Sequence, residues 1–217
     1  MAMLQSPSSS NSNGFTYDVF LSFRGPDTRY SFTGNLYKAL CDRGIRTFID
    51  DKELQRGYEI TPSLVKAIED SRILIPILSI NYASSSFCLD ELVCIIHCLA
   101  SKGRLVLPVF YGVEPSNIRH QTGVYGKDIA KHKKRFQSNK EKYTDNMERL
   151  LKWKVALTQT TNLSGYHFNF RNEYEYEVIG KIVDDVSNKI NRDRLHVGMM
   201  NDDDVQNDYD YDDYDYI

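Results

Sequence analysis

The chain has 217 residues and a formal net charge of −3; 41% of its residues are hydrophobic and 26% are charged. These values are typical of one globular domain and exclude two large ones. The longest apolar run lies near residues 73–80, far below the roughly 18 residues that a membrane span needs. No signal peptide opens the sequence, and four cysteines are too few for a disulfide scaffold of this length. We therefore expect reduced thiols and a cytoplasmic location, with the nucleus as a second compartment.

Charge is distributed unevenly along the chain. Residues 201–217 contain eight aspartates and no basic residue, which leaves the first 200 residues with a net charge of +5. A mildly basic body with an acidic tail is not the pattern of a protein that coats nucleic acid. Residues 1–14 are rich in Ser and Asn and the tail has low complexity, so both ends are predicted to be disordered.

Between these ends, short apolar runs alternate with segments of helical periodicity. The runs are rich in Val, Ile, Leu and Phe and predict buried parallel strands over residues 17–23, 45–49, 73–79 and 104–110. Helices are predicted over residues 31–41, 62–68, 86–100, 147–157 and 174–190, and a weaker fifth strand over 161–164. This alternation indicates an α/β domain with a doubly wound parallel sheet, whose ligands bind beyond the carboxyl ends of the strands.

Three familiar ligand motifs are absent or incomplete. No Gly-x-Gly-x-x-Gly follows the first strand, and residues 123–128 have the wrong spacing for a phosphate-binding loop. Cys94 and Cys98 lie on one side of the predicted third helix, but His97 is turned away from them by roughly 60–100° and no fourth ligand is near. Free thiols and no metal are therefore expected.

The third predicted helix carries two different apolar faces. One is a core-facing stripe formed by Leu89, Leu92, Val93 and Ile96. The opposite side carries a carboxylate among apolar groups, namely Phe87, Glu91, Cys94 and Cys98. Glu91 would lie near the ligand-binding edge of the sheet. The alternative is a surface glutamate that favours a helix start through the helix dipole.

A charged loop, residues 50–57, follows the second predicted strand and ends at Gly57. It lies at a strand's carboxyl end, where a contact surface or mobile lid would be placed. The alternative interpretation is a solvated connector.

Several blocks of sequence, in order, resemble the plant Toll/interleukin-1 receptor (TIR) domain family. They read YDVFLSFRGPDTR (17–29), TFIDD (47–51), FCLDEL (87–92), LPVFYGVEPS (107–116) and RHQTG (119–123). The resemblance covers residues 15–192 and implies a flavodoxin-like fold with a five-stranded parallel sheet. Residues 190–197 resemble the linker toward a nucleotide-binding leucine-rich-repeat receptor, and 193–217 would be a linker remnant and an acidic tail. The resemblance thus implies a TIR-only protein or a truncated receptor.

The resemblance also implies an activity, the cleavage of NAD as substrate rather than cofactor. The family's catalytic glutamate corresponds to Glu91, and nicotinamide and ADP-ribose, or a cyclic variant, would be the products; NADP is an alternative substrate. A single carboxylate suffices because nicotinamide is already a cationic leaving group. The residues implied to border the dinucleotide are Pro26, Asp27, Thr28, Arg29, Tyr30 and Gly57. Arg29 either faces a phosphate or is a surface arginine at a helix start.

Two positions depart from the family pattern. Phe87 stands where the family has Trp, and it keeps a stacking surface without the indole donor. Gly34 and Asn35 stand where many plant members have Ser-His on a self-association surface. A non-catalytic adaptor is therefore the alternative function. The expected partners are further copies of this chain, other TIR domains and immune receptors, with neither membrane nor nucleic acid among them.

Overall fold

The computed structural model describes residues 14–50, 60–138 and 140–202. The predicted leader before Gly14, the loop from residue 51 to 59 and the acidic tail beyond Asp202 lie outside these ranges. The strands are β1 (Tyr17–Phe23), β2 (Thr47–Ile49), β3 (Ser71–Leu78), β4 (Leu105–Val106), β5 (Val109–Tyr111) and β6 (Tyr166–Phe168). The helices are α1 (Gly25–Thr28), α2 (Phe32–Asp42), α3 (Pro62–Glu69), α4 (Ser86–Lys102), α5 (Pro115–Arg119), α6 (Gly123–Gln137), α7 (Tyr143–Thr160) and α8 (Glu175–Asp202), with a 3₁₀ turn at Tyr82–Ser84.

The strands form one parallel sheet in the order β2-β1-β3-β5-β6, and β4 pairs with the first half of β3. The predicted strand over 104–110 is therefore two strands, and within the described residues the sheet has six strands instead of five. Pro108 lies at the break and has no N–H for the ladder. Its carbonyl oxygen instead accepts a hydrogen bond of 2.8 Å from the Tyr166 N–H, which begins β6.

Helices cover both faces of the sheet, as the doubly wound prediction requires. Alternate residues of β1 and β3, among them Val19, Leu21 and Ile75, pack against α2 and α8. The residues between them, such as Phe20 and Leu74, pack against α3 and α4. A further cluster around Trp153 joins α4 to α6 and α7. The core is thus continuous from the sheet through α4 to α7.

Several elements differ from the sequence predictions. The predicted strand over 161–164 is wrong, because α7 continues to Thr160 and a turn follows it. No helix was predicted over α6, although Tyr125, Ile129, His132 and Phe136 form its buried stripe. Two glycines at the start of α6 and a run of basic residues within it lower its apparent helical and apolar character, so the stripe was not recognised in the sequence. The backbone of α8 is helical as far as Asp202, beyond the predicted end at 190. Among the described residues, no helix has both the length and the apolarity to cross a membrane.

Candidate functional site

Glu91 lies in the second turn of α4, beside the carboxyl end of β1. Ser85 caps the helix, and its hydroxyl oxygen accepts a hydrogen bond from the Cys88 N–H. The Glu91 side chain is only 3% exposed, so the interpretation as a surface glutamate is wrong. Both predicted faces of α4 are covered by other elements, because α7 packs on one side and α3 and the sheet on the other. Val93, which was predicted to face the core, is only half-buried.

A row of buried oxygens connects Glu91 to the first turn of the same helix. Ser22 Oγ lies 2.6 Å from Glu91 Oε2 and 2.9 Å from Tyr82 Oη. Tyr82 Oη in turn donates to the carbonyl oxygen of Cys88 at 2.9 Å. We call these four groups the hydroxyl chain. It ties β1, the 3₁₀ turn after β3 and α4 together at the carboxyl edge of the sheet, where ligands of doubly wound folds bind.

Burial dominates the acid–base chemistry of this region. Removal from water raises the pKa of Glu91 to about 8; the hydrogen bond with Ser22 acts in the opposite direction, and the charges of Asp50 and Asp90 raise the pKa further. Burial also raises the pKa of the Tyr82 phenol and of the Cys88 thiol, well above their ordinary values. At neutral pH all three groups therefore keep their protons in the resting domain.

Asp27 joins the carboxyl ends of β1 and β3. Its carboxylate accepts hydrogen bonds from the hydroxyl of Ser79 at 2.5 Å and from the side chain of Asn81 at 3.4 Å, and it forms an ion pair with Arg24. Burial raises the pKa of the Cys88 thiol, and the charges of Glu91 and Asp27 raise it further, so both carboxyl groups lie near this thiol. The α1 segment and Glu91 therefore belong to the same end of the sheet.

The other residues predicted to border a dinucleotide have different environments. Thr28 is buried and accepts a hydrogen bond of 2.7 Å from the hydroxyl of Thr33. The guanidinium of Arg29 lies 4.9 Å from the centre of the Phe23 ring. Pro26 and Tyr30 are exposed, Tyr30 almost completely. Gly57 lies outside the described residues. A contact of these residues with substrate stays a prediction.

The thiols of α4 form no cluster with His97. Cys98 is buried, Cys94 is half-buried and His97 is exposed. Within the ranges that the structure describes, no group of three or more His, Cys, Asp or Glu side chains has the arrangement of a metal site.

Ser22 and Tyr82 were not singled out by sequence patterns. Ser22 interrupts the apolar side of β1 that Phe20 begins, and a polar residue at a buried position is a usable signal. Tyr82 gave no such signal, because it meets Ser22 across 60 residues of sequence.

Comparisons with known proteins agree with this fold. The family profile named "TIR domain" matches residues 16–199. The disease resistance protein RPV1 of Vitis rotundifolia is 47% identical over 183 residues, and the TMV resistance protein N of Nicotiana glutinosa is 44% identical over 183 residues. Each alignment covers 84% of this chain, which spans only 12% and 15% of those two proteins.

The fold also matches a solved structure, the TIR domains of the activated Roq1 resistosome, with a TM-score of 0.69 and 44% identity. That resistosome directly recognises the pathogen effector XopQ. The match covers 78% of this chain and 99% of the Roq1 chain. The sequence profile, the relatives and the fold all agree, and the chain belongs to the TIR domain family, close to the TIR domains of plant disease resistance proteins.

Proposed function

We propose that this domain acts in plant immune signalling by cleaving NAD, with Glu91 as the catalytic residue, either by hydrolysis to nicotinamide and ADP-ribose or by release of nicotinamide and closure to a cyclic form. The observation that carries the proposal is the buried position of Glu91, hydrogen-bonded to Ser22 at the carboxyl edge of a parallel sheet. A buried carboxyl with a strongly raised pKa at such an edge is typical of a functional site.

The chemistry needs a carboxylate beside a developing cation. Cleavage of the bond between nicotinamide and ribose releases neutral nicotinamide and leaves positive charge on the ribose ring. The Glu91 carboxylate would stabilise that charge, and water would then add to the ribose carbon and release one proton. No acid is needed to expel nicotinamide, because its ring nitrogen is already positively charged in NAD.

The resting protonation of Glu91 fits a cationic substrate. With a pKa of about 8, ionising Glu91 at pH 7 costs about 1.4 kcal/mol. A nicotinamide ring or ribosyl cation beside the carboxylate offsets this cost in a site with little water. The charge of Glu91 would thus be available mainly when the substrate is in place.

The immune role rests on the relatives, one of which is named a disease resistance protein and the other a TMV resistance protein. Because the chain spans a small part of their length, immune receptors as partners and a cytoplasmic and nuclear location belong to the proposal. NADP as a second substrate does too. Arg29 and the exposed Tyr30 would border the dinucleotide together with Pro26, Asp27, Thr28 and Gly57.

The test is nicotinamide release by purified protein at high concentration, with and without a crowding agent. Glu91→Ala should lower turnover by at least about 10²-fold, the lower range for one acid–base group. Glu148→Ala is the control, since Glu148 is an exposed helical glutamate whose partner is Lys152. Equal turnover by a folded Glu91→Ala protein would refute the catalytic assignment.

A specific surface supports the alternative, a non-catalytic adaptor that joins TIR domains. A Cβ at Gly34 would lie 2.5 Å from the Arg29 carbonyl oxygen, so α2 packs directly on backbone there. The adjacent Asn35 is exposed and begins a groove of about 520 Å³ between α2 and α8. Apolar and small residues line much of it, namely Ala39, Tyr176, Ile179, Gly180 and Val183.

Filling this groove separates the two functions. A Cβ at Gly180 meets no described atom within 4 Å, so Gly180→Arg should fold normally and block a partner. If the domain is an adaptor, Gly180→Arg should lose self-association in sedimentation experiments, and neither the wild type nor any variant should release nicotinamide. An assembly-dependent enzyme would lose both self-association and turnover with Gly180→Arg, but only turnover with Glu91→Ala.

A further inference from the structure

The hydroxyl chain contains more short contacts than its hydroxyl protons can fill. It has three oxygen–oxygen contacts, which join Glu91 to Ser22 (2.6 Å), Ser22 to Tyr82 (2.9 Å) and Tyr82 to the Cys88 carbonyl (2.9 Å). Each distance is that of a hydrogen bond and needs one proton between its oxygens. The two hydroxyls supply two protons, and a carbonyl oxygen supplies none.

An ionised Glu91 would leave one contact without a proton. If Ser22 donates to Glu91 and Tyr82 donates to Cys88, the oxygens of Ser22 and Tyr82 face each other at 2.9 Å with lone pairs only. Such unpaired buried contacts are disfavoured. A proton on Glu91 resolves the conflict, because Glu91 then donates to Ser22, Ser22 to Tyr82 and Tyr82 to Cys88.

We propose that Ser22 and Tyr82 are positioning residues: in the resting domain Tyr82 favours a protonated Glu91 by accepting the hydrogen bond of Ser22, and when a cation enters both hydroxyls turn toward the Glu91 carboxylate. The resting half of this proposal stands on the three contacts. The second half rests on the proposed cleavage of NAD. On ionisation the Glu91 proton passes to solvent, Ser22 donates to the carboxylate, and Tyr82 gives up its bond to Cys88 and donates to Ser22.

The two hydroxyls should shift the pKa of Glu91 in opposite directions. Without the Tyr82 hydroxyl, the protonated state loses two hydrogen bonds, from Ser22 to Tyr82 and from Tyr82 to Cys88. The ionised state loses only the bond from Tyr82 to Ser22 and keeps the direct bond from Ser22 to Glu91, so the pKa of Glu91 should fall. Without the Ser22 hydroxyl, the carboxylate loses its direct donor, and the pKa should rise. A role in packing alone would not produce opposite shifts.

Other titratable groups also act on Glu91 and must be held constant. Within the described residues they lie directly after β2, on the 3₁₀ turn and on α4 itself, and they are Asp50, Tyr82, Cys88, Asp90 and Cys94. Asp50 and Asp90 add negative charge, which disfavours ionisation of Glu91. None of them is altered in Ser22→Ala, and Tyr82→Phe alters only the group under test.

The experiment is a titration of the Glu91 carboxyl in the full chain, without NAD, followed by NMR of isotopically labelled glutamate. Glu91→Gln assigns the signal. We expect the wild-type signal to titrate well above the ordinary range of glutamate, Tyr82→Phe to titrate about one unit lower and Ser22→Ala higher. One unit is a tenfold change in the ionisation equilibrium.

Tyr125→Phe is the matched control for Tyr82→Phe. Tyr125 is buried at the same end of the sheet, and its hydroxyl donates to the Ser79 carbonyl at 2.7 Å without touching Glu91. Its removal should leave the titration of Glu91 unchanged. The proposal is wrong if wild-type Glu91 is ionised at pH 6, or if Tyr82→Phe shifts it no more than Tyr125→Phe does.

These readouts do not depend on the proposed function. The titration is made without substrate, so it can succeed even when no nicotinamide is released. If Ser22→Ala does not fold, the comparison of the two tyrosine variants decides. Conversely, loss of turnover in Glu91→Ala with an ordinary pKa for Glu91 would support the enzyme and overturn the positioning role.

Discussion

Two consecutive acids on α4, the half-buried Asp90 and the buried Glu91, have opposite kinds of partner. Asp90 faces α7, where its carboxylate accepts hydrogen bonds from Arg149 Nε at 2.9 Å and from Trp153 Nε1 at 2.8 Å, and pairs again with the Arg149 guanidinium. Glu91 faces β1, where its partner is the neutral hydroxyl of Ser22. The half-buried charge of Asp90 is compensated by a cation, whereas Glu91 avoids a buried charge by keeping its proton.

If Glu91 is catalytic as proposed, the contrast is one between a structural acid and a reactive one. A charged, donor-rich environment holds Asp90 between two helices and contributes to stability. A low-dielectric environment with hydroxyl partners leaves Glu91 protonated and ready to respond to an incoming positive charge. Exchanging the carboxyl for an amide at each position should therefore affect different properties of the domain.

The largest effects should come from this pair of substitutions. Asp90→Asn should lower the free energy of unfolding by about 1–3 kcal/mol, because it weakens charge-assisted hydrogen bonds to Arg149, and should leave most turnover intact. Glu91→Gln should abolish measurable turnover and should not lower the melting temperature. Denaturant unfolding and nicotinamide release on the same preparations check both. If Asp90→Asn also removes turnover in folded protein, the division between the two acids is wrong.

The sequence predicted the elements around Asp90 and Glu91 better than it predicted the partners of these two acids. The apolar runs predicted β1 correctly and placed β3 to within two residues, because each buried strand is a continuous apolar segment. The helical periodicity of α4 separated two faces but could not show that both are covered, since α7 and β1 are distant in sequence. The partner of Glu91, Ser22, is 69 residues away. Only the topology of the sheet brings them together.

A second prediction concerns pH and stability. The pKa of Glu91 is about 8 in the fold, above its ordinary value of 4.5, so between these values the native state holds more protons than the unfolded chain. This contribution to stability is complete below pH 4.5 and is lost as pH rises through 8, by at most about 1.4 kcal/mol per pH unit. Glu91→Gln removes it. The melting temperature of Glu91→Gln minus that of wild type should grow from pH 5 to pH 8; a constant difference would mean that Glu91 does not titrate in this window.

A third prediction concerns turnover. If the carboxylate is the active form, kcat/KM should rise about tenfold per pH unit below the pKa of Glu91 and level off above pH 8. Asp90→Asn should keep this profile in shape, with at most a small displacement, because it removes a neighbouring negative charge without touching the hydroxyl chain. Initial rates at low NAD concentration give the profile. A profile that falls from pH 6 to pH 8 would require a protonated Glu91 in catalysis.

The smallest effect is expected at Phe87, one turn before Glu91. Phe87 is half-buried against the cluster between α3 and the sheet, so the larger ring in Phe87→Trp can extend toward solvent. We therefore expect Phe87→Trp to preserve or raise turnover and to leave the melting temperature nearly unchanged. Phe20→Trp is the matched control, because Phe20 is fully buried in the same cluster and stacks on Phe48 at 5.4 Å. Overpacking there should cost about 1–3 kcal/mol. If Phe87→Trp destabilises the domain as much as Phe20→Trp, Phe87 has a structural role in packing, as Asp90 has in pairing α4 with α7, and is not part of the Glu91 site.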